Sequence, residues 1–142
     1  MQTFLPLPSY TESAKVLDYR RLGKQRVETK QILMAMGKSS GGWVNHPATK
    51  MWRGYEVELC RYGLAMCKEW LRRGYKDSLT PFFEDALAQY ESDGRRQDAP
   101  PWLGEDEFHA SHRSNLLRKD PVFYKMYGWP EPDDMEYVWP IA

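Results

Sequence analysis

Pro47-Ala48-Thr49-Lys50-Met51-Trp52 opens, and Leu71-Arg72-Arg73-Gly74 closes, the stretch on which the fold turns. Between them Met51/Trp52, Tyr55, Leu59, Met66 and Trp70 recur at spacings of three to four positions or their sums, so they share one stripe of a helix. Pro47 suits a first helical position, with Asn45 or His46 placed to cap it. Arg72 and Arg73 sit where the helix dipole favours cations, and Gly74 is the expected stop. The pattern predicts one helix from Pro47 to Arg73, the spine of the fold.

Upstream of it, Ser9-Tyr10-Thr11-Glu12 has the capping-box form. A helix follows to about Arg20 and another to about Met36, with Gly23 the weak point between them. Lys38-Ser39-Ser40-Gly41-Gly42 reads as a loop. Downstream, Thr80-Pro81 with Glu84-Asp85 starts a helix ending near Tyr90, and Ser92 to Pro101 is a polar loop. Phe108 to Lys119 is helical, and Asp120-Pro121 begins a short helix closed by Gly128. The tail from Trp129 is extended, with Val138, Trp139 and Ile141 expected to pin it. No period-2 strand pattern appears. The expectation is an all-α fold: one compact domain, 1–142, of about four to five helices with an extended amino-terminal segment and an extended carboxy-terminal tail.

The 142 residues suit one domain able to bury a core. No apolar run is long enough to span a membrane, and Met1-Gln2-Thr3-Phe4-Leu5-Pro6 lacks the form of a secretory signal. Cys60 and Cys67, seven positions apart, are separated by about 10 Å of helical rise, too far for a bridge. A soluble cytoplasmic protein is expected. The zero net charge conceals a division: residues 1–80 hold 14 Lys/Arg against 7 Asp/Glu, and residues 81–142 hold 6 against 13. That fits either a basic face for an anion or two halves interleaved in one fold. Six Trp and nine Tyr fit either an aromatic core or base-stacking platforms.

From Asp18 to Met36, positions 18, 21/22, 25, 28/29, 32/33 and 36 share a helical face. Its far end is apolar (Ile32, Leu33, Met36), whereas its near end carries Asp18, Arg21, Gln25 and Glu28, with Lys24 at the border. Polar groups in line with a buried stripe are costly unless paired. They form either a structural ion-pair cluster or a desolvated active site. A helix break at Gly23 would leave only Gln25 and Glu28 in register.

His46 precedes a helix start, where it serves as a plain cap or stands among free amides suited to an anion. His109 and His112, three apart, share a helical face as metal ligands do, but only His46 remains as a third imidazole. Phe108, His112 and Leu116 form a stripe, which turns His112 inward. Ser111, Arg113, Ser114, Asn115 and Lys119 offer donors for phosphate. Phe123-Tyr124-Lys125-Met126-Tyr127-Gly128-Trp129 interleaves rings with a cation, as a core segment or a stacking surface. Gly23-Lys24-Gln25 lacks the pattern of a phosphate-binding P-loop.

Four blocks, in this order, carry a resemblance: Leu17-Asp18-Tyr19-Arg20-Arg21-Leu22; the His46 to Lys76 helix ending Leu71-Arg72-Arg73-Gly74-Tyr75; Phe108-His109-Ala110-Ser111; and Phe123-Tyr124-Lys125-Met126-Tyr127-Gly128. Together they resemble the phage endonuclease V type pyrimidine-dimer DNA glycosylases and the small bacterial and phage proteins related to them. The resemblance implies an all-α fold whose amino terminus threads between helices into the active site. It also implies enzymes that flip a base from duplex DNA. The terminal α-amine attacks C1′ of the sugar to give a Schiff base, a glutamate assists, and β-elimination nicks the strand. An α-amine titrates at about 7.7–8, well below lysine, so part of it is neutral at cellular pH. The family's amine belongs to a threonine exposed by loss of Met. Here Gln2 is bulky and the amine of Met1 takes that place. The family's glutamate follows the arginine of a Tyr-Arg-Glu-Leu stretch. Arg21 stands there instead, and Glu28 or Asp18 can substitute from the same face. Arg20 and the Lys24/Arg26 pair match the family's phosphate-holding arginines.

The expected function is therefore DNA base excision: an N-glycosylase, with AP-lyase activity, acting on a damaged or modified pyrimidine flipped from a duplex. Glu28 is expected to orient the amine of Met1 or a water. Arg21 keeps Glu28 ionised and touches phosphate, and His46 is a second acid or base. Arg20, Lys24, Gln25, Arg26, His112, Arg113, Asn115 and Lys119 are the expected DNA contacts. A monomer without cofactor or metal is expected. The alternatives are a non-catalytic nucleic-acid-binding protein of the same fold, a nucleoside or nucleotide N-glycosidase, and, last, metal-dependent hydrolysis through His46, His109 and His112.

Overall fold

The computed structural model describes residues 1–141. Among them are seven α-helices and no strand: α1 Tyr10–Val16, α2 Tyr19–Met36, α3 Pro47–Trp52, α4 Glu56–Arg72, α5 Thr80–Ser92, α6 Asp106–Lys119 and α7 Pro121–Tyr124, with a 3-10 turn over Lys125–Tyr127. No helix among the described residues is long and apolar enough to cross a membrane. The expected class holds, and the expected count is too low.

The spine is two helices rather than one. Gly54 takes a positive φ of 86° between α3 and α4, and the Tyr55 amide returns to the Trp52 carbonyl at 2.8 Å. A residue with a Cβ is strained there, so the chain turns at Gly54, whereas Gly63, also within the stripe, stays helical inside α4. The stripe still serves both pieces, because Trp52 and Leu59 are each fully buried. α4 packs against α1, α2 and α5. Its Leu59, Tyr62 and Met66 join Phe83 of α5 and Phe108 and Leu116 of α6 in one core. Each such side chain contributes about 1.5–3 kcal/mol on burial.

The break between α1 and α2 falls at Leu17-Asp18, not at Gly23. Asp18 is the N-cap of α2, accepting from the Arg21 amide at 3.4 Å. α2 runs unbroken through Gly23, where an added Cβ would lie 2.9 Å from the Trp70 ring. That glycine permits close approach of α2 and α4 rather than a hinge. Thr80 is the first residue of its helix, as expected. The Asp77 carboxylate accepts from the Leu79 and Thr80 amides at 3.2 and 2.7 Å.

Residues 2–6 are extended yet buried, with no neighbouring strand. Side chains supply the missing ladder. The Phe4 amide donates to Gln25 Oε1 (2.9 Å) and the Leu5 amide to His112 Nδ1 (2.8 Å). Tyr62 donates to the Phe4 carbonyl (2.9 Å), His109 Nδ1 meets the Leu5 carbonyl (2.7 Å), and Arg113 donates to the Pro6 carbonyl (2.8 Å). Buried peptide groups require such partners. The tail is also extended, laid along α6. The Met135 amide donates to Ser114 Oγ at 3.0 Å and the Val138 amide to Ser111 Oγ at 3.2 Å. Tyr137 and Trp139 pack against the core, whereas Ile141, expected as an anchor, is exposed.

Candidate active site

A cleft of about 670 Å³ opens where the buried amino-terminal segment, the first half of α2 and the end of α6 with the tail meet. Met1, Gln2 and Phe4 form its inner end. Asp18, Tyr19, Arg20, Arg21, Lys24, Gln25 and Glu28 come from α2 and its cap, and Lys119, Asp120, Phe123 and Tyr137 from the other wall. Because α2 is continuous, positions 21, 24, 25 and 28 keep one face, and that face looks into the cleft. Of the expected site residues, it brings together Met1, Arg20, Arg21, Lys24, Gln25, Glu28 and Lys119.

The two candidate carboxylates differ in how far the protein already uses them. Asp18 caps α2, pairs with Arg21 Nη1 at 3.1 Å and accepts from the Tyr124 hydroxyl. Glu28 receives longer contacts: the Gln2 amide at 3.3 Å, Gln25 Nε2 at 3.4 Å and Lys24 Nζ at 3.8 Å. Its side chain keeps 12% exposure. Glu28 is the carboxylate with acceptor capacity left for a ligand. The guanidinium expected to hold Glu28 belongs instead to Asp18, because a pair three apart at the first turn also completes the cap. Lys24, one turn before Glu28, is the cation beside it.

His46 is the N-cap of α3, its Nδ1 accepting from the Ala48 amide at 3.0 Å. In the neutral ring this leaves the proton on Nε2, so His46 has no free basic nitrogen while the cap stands. Burial lowers its pKa; the charge of the terminal amine lowers it further, and Glu28 opposes. The ring lies outside the cleft lining, between the edges of Trp43 and Trp139 at 5.4 and 5.8 Å.

The cations divide the same way. Arg20 and Lys24 are exposed at the cleft mouth. Lys119 has its pKa lowered by burial first and then by Arg21, Arg118 and Lys24, which marks a true cluster of positive charge. Arg26 is not part of it. Its guanidinium pairs with Asp77 and lies 4.5 Å from the Trp70 ring centre. His112 and Asn115 are fully buried and cannot meet a phosphate. His112 binds the Leu5 amide, and Asn115 Nδ2 donates to the Ser111 and Met135 carbonyls at 2.8 and 3.0 Å. Arg113 is held by Glu131 at 2.8 and 3.0 Å. Gln25 lines the cleft but is nearly inaccessible, bracing Phe4 and Glu28 from behind. These five expected DNA contacts, Arg26 among them, hold the chain together instead.

The paired histidines of α6 have the same fate. His109 Nδ1 meets the Leu5 carbonyl while Nε2 accepts from the Gly104 amide at 2.9 Å, so both of its nitrogens are occupied. With His112 on the Leu5 amide, the two rings clamp the backbone of one residue, Leu5, rather than an ion. Burial pushes the His112 pKa down to about 3 and lowers that of His109. Among the described residues no three His, Cys, Asp or Glu cluster as metal ligands. Tyr137 was missed from sequence: it lies in a proline-flanked tail with no local pattern, and reaches the cleft by packing on residue 4.

A family model described as pyrimidine dimer DNA glycosylase matches residues 1–80. No curated protein and no solved structure matches the chain. The matched span contains Met1, Arg20, Arg21, Lys24 and Glu28, the α2 side of the cleft, while Lys119, Asp120, Phe123 and Tyr137 come from beyond it. With more than half of its length matched by that model, and the matched half supplying the amine, the free carboxylate and the exposed cations of a single cleft, the chain belongs to the pyrimidine dimer DNA glycosylase family.

Proposed function

We propose that this protein is a DNA N-glycosylase that releases a damaged or modified pyrimidine flipped from a duplex, and that it then acts as an AP lyase. One observation carries the reading: the cleft shared by Met1, Glu28 and the cations Arg20, Arg21, Lys24 and Lys119. The lone pair of the Met1 amine forms a bond to C1′ as the C1′–N1 pair departs with the base. Glu28 takes a proton from the resulting ammonium. Ring opening, with Glu28 returning that proton to O4′, then forms the Schiff base, and loss of the C2′ proton to the re-ionised Glu28 expels the 3′ phosphate. Arg20, Lys24 and Lys119 bind the phosphates flanking the extruded nucleotide, and Asp18 aims Arg21 toward them. His46 stays outside the cleft as the cap of α3 and has no role in this scheme.

Borohydride trapping on an abasic duplex, followed by mass analysis of the adduct, tests the amine. A covalent adduct at residue 1 is expected, and its absence removes the lyase step. Glu28→Gln keeps the shape of the site and should lower turnover by about 10²–10⁴-fold with DNA affinity retained. Unchanged turnover takes Glu28 out of the scheme.

A second reading rests on Arg21, which occupies the place of the family's glutamate. In it the protein binds DNA without chemistry. Affinity falling steeply with salt, with no base released by the wild type, would establish that reading.

A further inference from the structure

The cleft wall outside the family match ends in a fixed phenol. Three hydrogen bonds bracket Tyr137: the Met135 amide to Ser114 Oγ (3.0 Å), Asn115 Nδ2 to the Met135 carbonyl (3.0 Å) and the Val138 amide to Ser111 Oγ (3.2 Å). All three partners lie on one face of α6. The Tyr137 ring is wedged among Phe4, His112 and Trp139, at centroid distances of 6.3, 5.7 and 5.5 Å. It cannot swing away without opening the core.

Its hydroxyl has no protein partner among the described residues, although the side chain is half-buried and lines the cleft. Nor is that oxygen one of the enclosed, unpartnered atoms. That oxygen is therefore accessible, on a residue that lines the cleft. Burial pushes the pKa up to about 12, with Arg118 and Arg21 opposing and Glu28 adding to the rise. The phenol therefore stays a hydrogen-bond donor at any physiological pH, within the electrostatic reach of the carboxylate and guanidinium proposed to act on the sugar and phosphate.

We infer that Tyr137 donates a hydrogen bond to the C2 carbonyl oxygen of the departing pyrimidine. The inference rests on the glycosylase reading and adds a leaving-group contact to it. When C1′–N1 breaks, its electron pair goes to the base, and the negative charge is shared by N1 and the adjacent O2. A neutral, immobile donor at O2 interacts more strongly with that developing anion than with the neutral base. Tyr137 keeps its proton, and the released base takes one from water. A purine leaves through N9, which has no adjacent carbonyl, so the same donor selects for pyrimidines.

The test compares wild type with Tyr137→Phe, which keeps the ring and removes the donor. Base release, read as new abasic sugars because a dimerised base stays tethered to its neighbour after C1′–N1 breaks, is followed in single turnovers on a UV-irradiated thymine-tract duplex and on duplexes carrying one oxidised or deaminated pyrimidine. Borohydride trapping on an abasic duplex, which has no base to expel, is the control. Tyr137→Phe should slow base release by about 10²–10³-fold while affinity and trapping stay at wild-type level. Base release at the wild-type rate overturns the inference. So does an equal loss in trapping, which would make Tyr137 a support for the amine. A wild type that releases no base from any of these duplexes overturns the glycosylase reading itself.

Discussion

The two extended segments of this protein have no sheet to join, and they are secured in different ways. Residues 2–6 run through the core, and partners from α2, α4 and α6 meet their amides and carbonyls one by one. The tail rides on the outside of α6 with a few bonds to Ser111, Ser114 and Asn115, and water can serve its remaining groups. The difference is one of dielectric. A peptide group without water costs about 1–3 kcal/mol when it loses its partner, whereas a solvated one exchanges partners at little cost. The inner segment is therefore where Gln25, His109, His112 and Arg113 are needed, and it is the segment that carries the terminal amine into the cleft.

Acid should expose this contrast most strongly. The folded His112 pKa lies near 3 against an ordinary 6.5, so folding favours its neutral ring. The resulting stability is complete above about pH 6.5 and is lost as pH falls toward 3, amounting to about 4–5 kcal/mol over that window. Urea denaturation across pH 3–7 should show this slope, and His112→Gln, which can still accept from Leu5 but does not titrate, should flatten it. An unaltered slope would assign the acid sensitivity elsewhere.

Gln25→Leu is expected to have the next largest effect. It strands the Phe4 amide and should destabilise by about 1–3 kcal/mol, read as a lower urea midpoint at constant m. It also frees Phe4 from α2 and leaves the Gln2 amide on Glu28 as the remaining tie of the segment to that helix, so adduct formation on abasic DNA should fall with it. Ser114→Ala in the tail's anchor should cost less than about 1 kcal/mol, because the Met135 amide can turn to water. A larger loss there than at Gln25 would reverse the ranking of the two segments.

Much of the site was legible in α2. The register of Arg21, Lys24, Gln25 and Glu28 followed from helical periodicity, and the alternation of polar and apolar ends on one face signalled a buried polar task. The partners were not legible. Asp18 competes for Arg21 because a cap and an ion pair coincide at the first turn, and Arg26 turns away to Asp77, fifty-one positions on. The His109/His112 pair looked like ligands because clamping a peptide and holding an ion both call for two imidazoles on one face. Gly23 and Gly54 were indistinguishable in the pattern. One admits the Trp70 ring and leaves its helix whole, while the other takes a positive φ and ends one.

Local periodicity, caps and composition were enough for the helical class, the run of elements and the α2 face that lines the cleft, because those depend on neighbours within one or two turns. Which carboxylate stayed free, which cations faced solvent and how Tyr137 came to stand beside residue 4 depended on contacts distant in sequence: Tyr124 on Asp18, Asp77 on Arg26 and Tyr137 on Phe4. Burial and the pairing of polar groups are properties of the packed chain, so the tertiary structure alone decided them.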